Sequence, residues 1–199
     1  MKSLSSKSHI ALSVLFVLIA ATAFAADTAA TQSDAQKPSV APELSEAQKS
    51  FTTLKSLAGD WEGPATVPDA PEMSGAKMHV SMRVTSRGNA LVHEMQEAGT
   101  PLDATKYDHP VTMLYLDGDH LTLVHYCDAG NRPHMVARKP ADGKTVEFDF
   151  ADLSGSNENG HMYHAVFTLI DADHHTEDWT YLMPGDKPMH AHFDLQRTK

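Results

Sequence analysis

Residues 77–85 read Lys77-Met78-His79-Val80-Ser81-Met82-Arg83-Val84-Thr85, with every second side chain from Met78 to Val84 apolar and its neighbours polar or charged. Successive side chains of an extended strand point to opposite faces, so this stretch is a strand with one face buried and the other in water. The alternation recurs in Val146-Phe148-Phe150 and in Met189-Ala191-Phe193-Leu195. Between such segments lie turn signals: Arg87-Gly88-Asn89, Asp117-Gly118-Asp119, Asp128-Ala129-Gly130-Asn131, Ala141-Asp142-Gly143, Asp171-Ala172-Asp173 and Pro184-Gly185-Asp186. These punctuate hairpins.

Counting outward, strands are expected near 61–66, 77–86, 90–97, 110–116, 120–127, 133–139, 144–151, 162–170, 175–182 and 188–197, about ten in all. No segment between them is long enough for a helical crossover, so neighbours pair antiparallel in chain order. A meander of this length carries exposed edges unless it closes, and the expected fold is all-β: an up-and-down antiparallel β-barrel. A two-sheet sandwich is the competing architecture. One short helix precedes the strands: Ser45-Glu46-Ala47-Gln48 has capping-box spacing, Phe51, Leu54 and Leu57 follow at helical intervals, and Gly59 ends the turn.

The N-terminus has a different character. Lys2 and Lys7 precede an uncharged apolar run from Ile10 to Ala25 that ends in Ala23-Phe24-Ala25, so residues 1–25 read as a secretory signal peptide. No cysteine follows for lipid attachment. Residues 26–43 are Ala, Thr, Ser, Gln, Asp and Pro with almost no large apolar group, a flexible tether, and 44–199 form the barrel domain. The expected location is the periplasm or the cell exterior, with no membrane insertion once the signal is cleaved.

The chain holds 26 acidic and 16 basic residues, a net charge of −10, and its basic residues are scattered. That disfavours nucleic acid and anionic membrane surfaces as partners. A hydrophobic fraction of 41% and a charged fraction of 21% exclude wholesale disorder and a multi-span membrane protein. The single cysteine, Cys127, has no partner within the chain, so an exported protein stands here without an internal disulfide.

Leu57-Ala58-Gly59-Asp60-Trp61-Glu62-Gly63, a helix running into Gly-x-Trp-x-Gly at the first strand, resembles the opening of calycin-type barrels: lipocalins, fatty-acid-binding proteins and nitrobindin-like haem barrels. The resemblance covers this opening, the strand count and an arginine on the last strand. In lipocalins the tryptophan plugs the barrel floor under a basic side chain from the end of the chain, which implies structural roles for Trp61 and Arg197. In nitrobindin-like barrels a histidine near the C-terminus binds haem iron, and His190 and His192 match that region. The alternation of β-residues around them points both outward, as it does His79.

Two strands place polar groups on their apolar face. Leu121 and Leu123 share theirs with His125 and Cys127; Trp179 and Tyr181 share theirs with His175 and Glu177. A carboxylate in such a wall needs a partner, a place near the mouth, or a proton, and histidine is the company expected for Glu177. The strand near 161–170 is apolar on both faces, so parity does not orient His161 or His164, and one of the two is expected to point inward. Tyr115, Tyr163, Trp179 and Tyr181 would add flat walls with polar tips. The expected ligand-contacting set is therefore Tyr115, His125, Cys127, His161, His175, Glu177, Trp179 and Tyr181.

Three function classes follow, beside a packed barrel whose polar groups satisfy one another. The first is an exported protein that binds a small, partly apolar molecule. The second is a haem or copper protein, from the histidines and from Met95, Met135, Met162 and Met189. The third is an acid–base isomerase or hydrolase using Glu177 and a histidine. No nucleophile-elbow, zinc-protease, phosphate-loop or dinucleotide motif occurs. His125 lies two residues from Cys127, about 7 Å along a strand and beyond hydrogen-bond reach, so a thiol nucleophile activated by His125 is not expected.

Overall fold

The computed structural model describes residues 43–138 and 142–198. The signal peptide at 1–25, the tether as far as residue 42 and Ala141 of one expected turn lie outside the described residues. Helix α1 (Glu46–Lys55) comes first. Ten strands follow: β1 (Gly59–Thr66), β2 (Lys77–Thr85), β3 (Ala90–Glu97), β4 (Val111–Asp117), β5 (His120–Tyr126), β6 (Arg132–Ala137), β7 (Thr145–Ser154), β8 (His161–Leu169), β9 (His174–Met183) and β10 (Lys187–Arg197). Every neighbouring pair is antiparallel, and β1 pairs with both β2 and β10, so the sheet closes into an up-and-down barrel rather than a sandwich.

Helix α1 starts where the capping box puts it. The Ser45 hydroxyl accepts from the Gln48 backbone N–H at 3.2 Å, and Gln48 Oε1 accepts from the Ser45 N–H at 2.8 Å. Its apolar side delivers Phe51 and Leu54, with Leu57 just beyond, into the core at the end of the barrel where β1 starts and β10 finishes. That end is solid. Trp61, Leu91, Leu114, Leu121, Phe167 and Leu195 fill it.

The same end holds the seam that closes the barrel. Trp61 and Arg197 are register partners across β1 and β10, and the guanidinium carbon lies 4.0 Å from the centre of the indole ring. The Trp61 indole N–H donates to the Leu57 carbonyl at 2.8 Å, while Arg197 Nη1 donates to the Ala58 carbonyl at 2.8 Å and Nε to the Ala172 carbonyl at 3.0 Å. Both glycines of the Gly-x-Trp-x-Gly stretch are explained by this closure. Gly59 sits at φ +138°, and a Cβ there would run into the Arg197 guanidinium; a Cβ on Gly63 would run into the Asp194 carbonyl.

Two local departures from simple alternation matter for the site. Register shifts fall between β6 and β7, where Ala151 is the extra residue between the partners of His134 and Met135, and on β8 between Met162 and His164, where Tyr163 is extra; they re-aim β7 after Phe150 and β8 before Tyr163. Phe150, expected to line the interior as Val146 and Phe148 do, is only half-buried and packs on His161 and Tyr163 with ring centres at 4.6 and 5.8 Å. Val84, the last residue of the alternation on β2, is exposed where the strand runs out.

Candidate functional site

The half of the barrel away from α1 is hollow. A cavity of about 630 Å³ opens there, within the range of small-molecule sites, where β3, β5 and β9 end and β8 and β10 begin. Its wall is mostly apolar: Met95, Met162 and Met189 project from three different strands, Ala191 and Phe193 continue the β10 face, and Met73 and Met183 stand at the rim. Register places Met162, Tyr181 and Met189 side by side on β8, β9 and β10. Methionine thioethers give such a wall an adaptable, polarizable surface.

The polar groups lie along the floor and beneath it. His93, His125 and Trp179 line the floor. Under them Glu177 is fully buried and accepts three N–H bonds: from His93 Nε2 at 3.0 Å, from His175 Nε2 at 3.1 Å and from Trp179 Nε1 at 2.9 Å. Burial by itself would push this carboxyl up. The attraction of His93 and the bonds from His175 and His93 outweigh it and hold Glu177 well below the usual carboxylate range, so it is an anion at neutral pH. His175 stands edge-on to Trp61 with ring centres 4.2 Å apart, joining the Glu177 cluster to the solid end of the barrel.

His125 has a different environment. Its Nδ1 lies 2.9 Å from the Thr112 hydroxyl on β4, and its Nε2 is buried with no hydrogen-bond partner among the described residues. Burial, then the charge of His93, lowers its pKa to about 4, so the ring is neutral at pH 7. His93 Nδ1 is likewise buried and unpaired. Each such atom costs about 1–3 kcal/mol, and two of them belong to the side chains that floor the cavity.

The lowered His125 pKa has a measurable consequence. An unfolded histidine takes up its proton near pH 6.5 while the folded one waits until about pH 4, so the unfolded state binds more protons between those values. Stability is therefore full above pH 6.5 and falls as pH drops, by about 2 kcal/mol at pH 5. Burial acts on His161 in the same direction. Urea unfolding at pH 7 and pH 5 should show this loss in the wild type and a loss smaller by about that amount in His125→Gln.

Of the eight side chains expected to contact a ligand, the structure brings His125, Cys127, Trp179 and Tyr181 to the cavity wall. His175 and Glu177 lie beneath the floor. Two do not belong to the site. Tyr115 is on the opposite face of β4 from Thr112 and Leu114, half-buried on the outside of the barrel. His161 is buried but lies before the β8 register shift; it packs on Phe150, with Nδ1 2.7 Å from Asn157 Oδ1, and is not part of the cavity wall. His164 does not point inward either. It faces Glu147 and Asp149 on the outer surface, and Tyr163 is exposed.

Cys127 is half-buried at the cavity mouth, and burial raises its thiol pKa, so it is a poor nucleophile. His190 and His192 point outward as parity requires. Their Nδ1 atoms lie 2.8 Å from Asp69 Oδ2 and 2.7 Å from Asp178 Oδ1 respectively, so each ring is turned to its own carboxylate on the surface. Outward rings of this kind do not fit a haem ligand inside the barrel. Glu147, Asp149 and His164 are close enough to share a cation, but Arg138 already bridges Glu147 and Asp149. Met135 is core rather than cavity.

His93 and Thr112 are the site residues that sequence alternation passed over. On β3, Ala90, Leu91 and Val92 are all apolar and hide the parity; only Glu94 and Gln96 facing away from Leu91 and Met95 would have placed His93 inside.

Comparison with known proteins adds the fold and nothing finer. No known family profile and no curated protein sequence matches the chain. Among solved structures it resembles Rv2717c of M. tuberculosis, with a TM-score of 0.54 and 14% identity over 75% of this chain and 98% of that one. A DUF3598-family protein of unknown function from Nostoc punctiforme aligns at TM-score 0.45 and 8% identity over 73% of this chain and 49% of that one. The similarity to Rv2717c concerns the fold alone, which in this chain is a closed ten-stranded antiparallel barrel.

Proposed function

We propose that this chain is an exported binding protein that holds a small, partly apolar molecule inside the barrel. The observation that carries the reading is the pairing of a 630 Å³ apolar cavity with two floor imidazoles, His93 and His125, each left with an unpaired buried ring nitrogen. A packed barrel without an occupant gains nothing from either feature, whereas a ligand with a polar end would supply the missing partner while its body replaces water against methionine and phenylalanine. Export is supported by the character of residues 1–25, and the acidic balance of the chain argues against nucleic acid as the partner.

Trp179 makes the test simple. It lines the cavity, while Trp61, the other tryptophan, is sealed in the solid end. The neutral aromatic probe N-phenyl-1-naphthylamine, added to the full chain, should gain fluorescence on entering the cavity and quench tryptophan emission in a single saturable phase. Linear, non-saturating fluorescence with tryptophan emission unchanged would overturn the reading.

A further inference from the structure

The cavity wall is selective for charge as well as for shape, an inference that rests on reading the cavity as a ligand site. Among the described residues no lysine or arginine lines it; the carboxylates of Asp108 and Asp128 stand at the mouth, while on the floor the His93 imidazole is paired with anionic Glu177 beneath it, so the charge there is met within the protein. Lys187 opens β10 opposite Met183, but its charge acts on Asp69 and it is not part of the wall. His125 contributes no charge at pH 7. The Asp128 backbone N–H donates to Asp108 Oδ1 at 3.1 Å, which holds the two acidic residues together at one side of the opening.

Three neighbouring acids are shifted in one direction. Burial and then Asp128 push the Asp108 carboxyl up; burial chiefly, helped by both aspartates, pushes up the Cys127 thiol and the Tyr181 phenol. A carboxylate, sulfate or phosphate entering this mouth would meet the same repulsion, and a cation would relieve it. Behind the acidic pair stand the rings of Trp179, Tyr181 and Phe193 and the methionine thioethers, surfaces that attract a weakly hydrated cation and an aromatic body.

We propose that the cavity takes an organic cation: a protonated or quaternary amine carried on an apolar, aromatic body. The ammonium sits by Asp108 and Asp128, the body lies among Met95, Met162, Met189 and Trp179, and a hydrogen-bonding group at the inner end of the body meets the unpaired nitrogens of His93 and His125. Selection runs against anionic ligands, which the carboxylates of Asp108 and Asp128 repel.

The test uses a matched pair on the full chain at pH 7 and low salt: 1-naphthylmethylamine, which is protonated, and 1-naphthylacetate, which is anionic. Isothermal titration should show the amine binding at least about tenfold more tightly than the acetate, with the preference shrinking as salt is added. In Asp108→Asn/Asp128→Asn the preference should fall to about threefold or less while N-phenyl-1-naphthylamine still binds. Asp128→Asn alone, at an exposed turn, should give a partial loss and serves if the double variant does not fold. Equal or tighter binding of the acetate, a preference unchanged in the variants, or no heat from the amine would overturn the proposal even where the neutral probe binds. Failure of the neutral probe would instead count against the cavity as a ligand site.

Discussion

Replacing Glu177 with alanine lowers the unfolding free energy by about 4 kcal/mol at pH 7, the penalty for leaving buried charged and polar partners without their acceptor. Three N–H donors converge on the carboxylate, from β3 and from two other positions on β9, and among the described residues none has another acceptor. Glu177→Gln keeps the volume but offers one acceptor oxygen and turns an NH2 toward the donors, so it should cost about 3 kcal/mol. For a domain of this size the alanine variant should melt about 10 °C lower. Because the Glu177 carboxyl is held below its ordinary value, its contribution is complete above about pH 4.5 and fades as pH falls through the lower folded value. Variants within about 1 kcal/mol of wild type would mean that the carboxylate is not bonded as described.

The second large effect is on binding. Ala191 faces the cavity from β10, directly opposite Trp179 in register, and its small side chain leaves the space that Met95 and Met162 border. Ala191→Trp should fill that space and weaken N-phenyl-1-naphthylamine by at least about a hundredfold, since an occluded pocket loses most of its apolar contact area. Far-ultraviolet circular dichroism should stay barrel-like, because the new ring projects into a void rather than into the solid end. Unchanged affinity in a folded Ala191→Trp protein would place the probe somewhere else.

Much of the architecture was legible because the barrel obeys period two where it matters. Met78 to Met82, Val146 with Phe148, and Met189 to Leu195 face inward as their alternation requires, and the turn residues fall between strands whose observed ends lie within a few positions of those expected. The helix was legible from its cap and from Phe51 and Leu54. The Gly-x-Trp-x-Gly opening was legible as a pattern, and its cause, close approach of Arg197 and the Asp194 carbonyl, required the closed seam.

Inward placement is legible on β5 and β9, where polar side chains interrupt a clear apolar face. It is not legible where parity fails. The irregularity at Met162/His164 takes His161 out of the wall, a one-residue insertion that nothing in His161-Met162-Tyr163-His164 announces. The chemistry of Tyr115 suits a pocket, but Thr112, Leu114 and Leu116 claim the inner face of β4 and put it outside. His93 was hidden by an apolar triplet. That Glu177 and His175 form a layer under the cavity, rather than part of its wall, depends on strand tilt and depth, which alternation does not encode.

The central claim, that the hollow half of the barrel receives a molecule while the other half is sealed, is tested most directly by methyl NMR of the full chain labelled at methionine. On titration with N-phenyl-1-naphthylamine, the methyl signals of Met95, Met162 and Met189 should shift together and saturate at one equivalent, while Met135 and Met82, buried in the core, stay in place. Cavity methyls that do not move, or shifts that appear equally at Met135 and Met82, would contradict it.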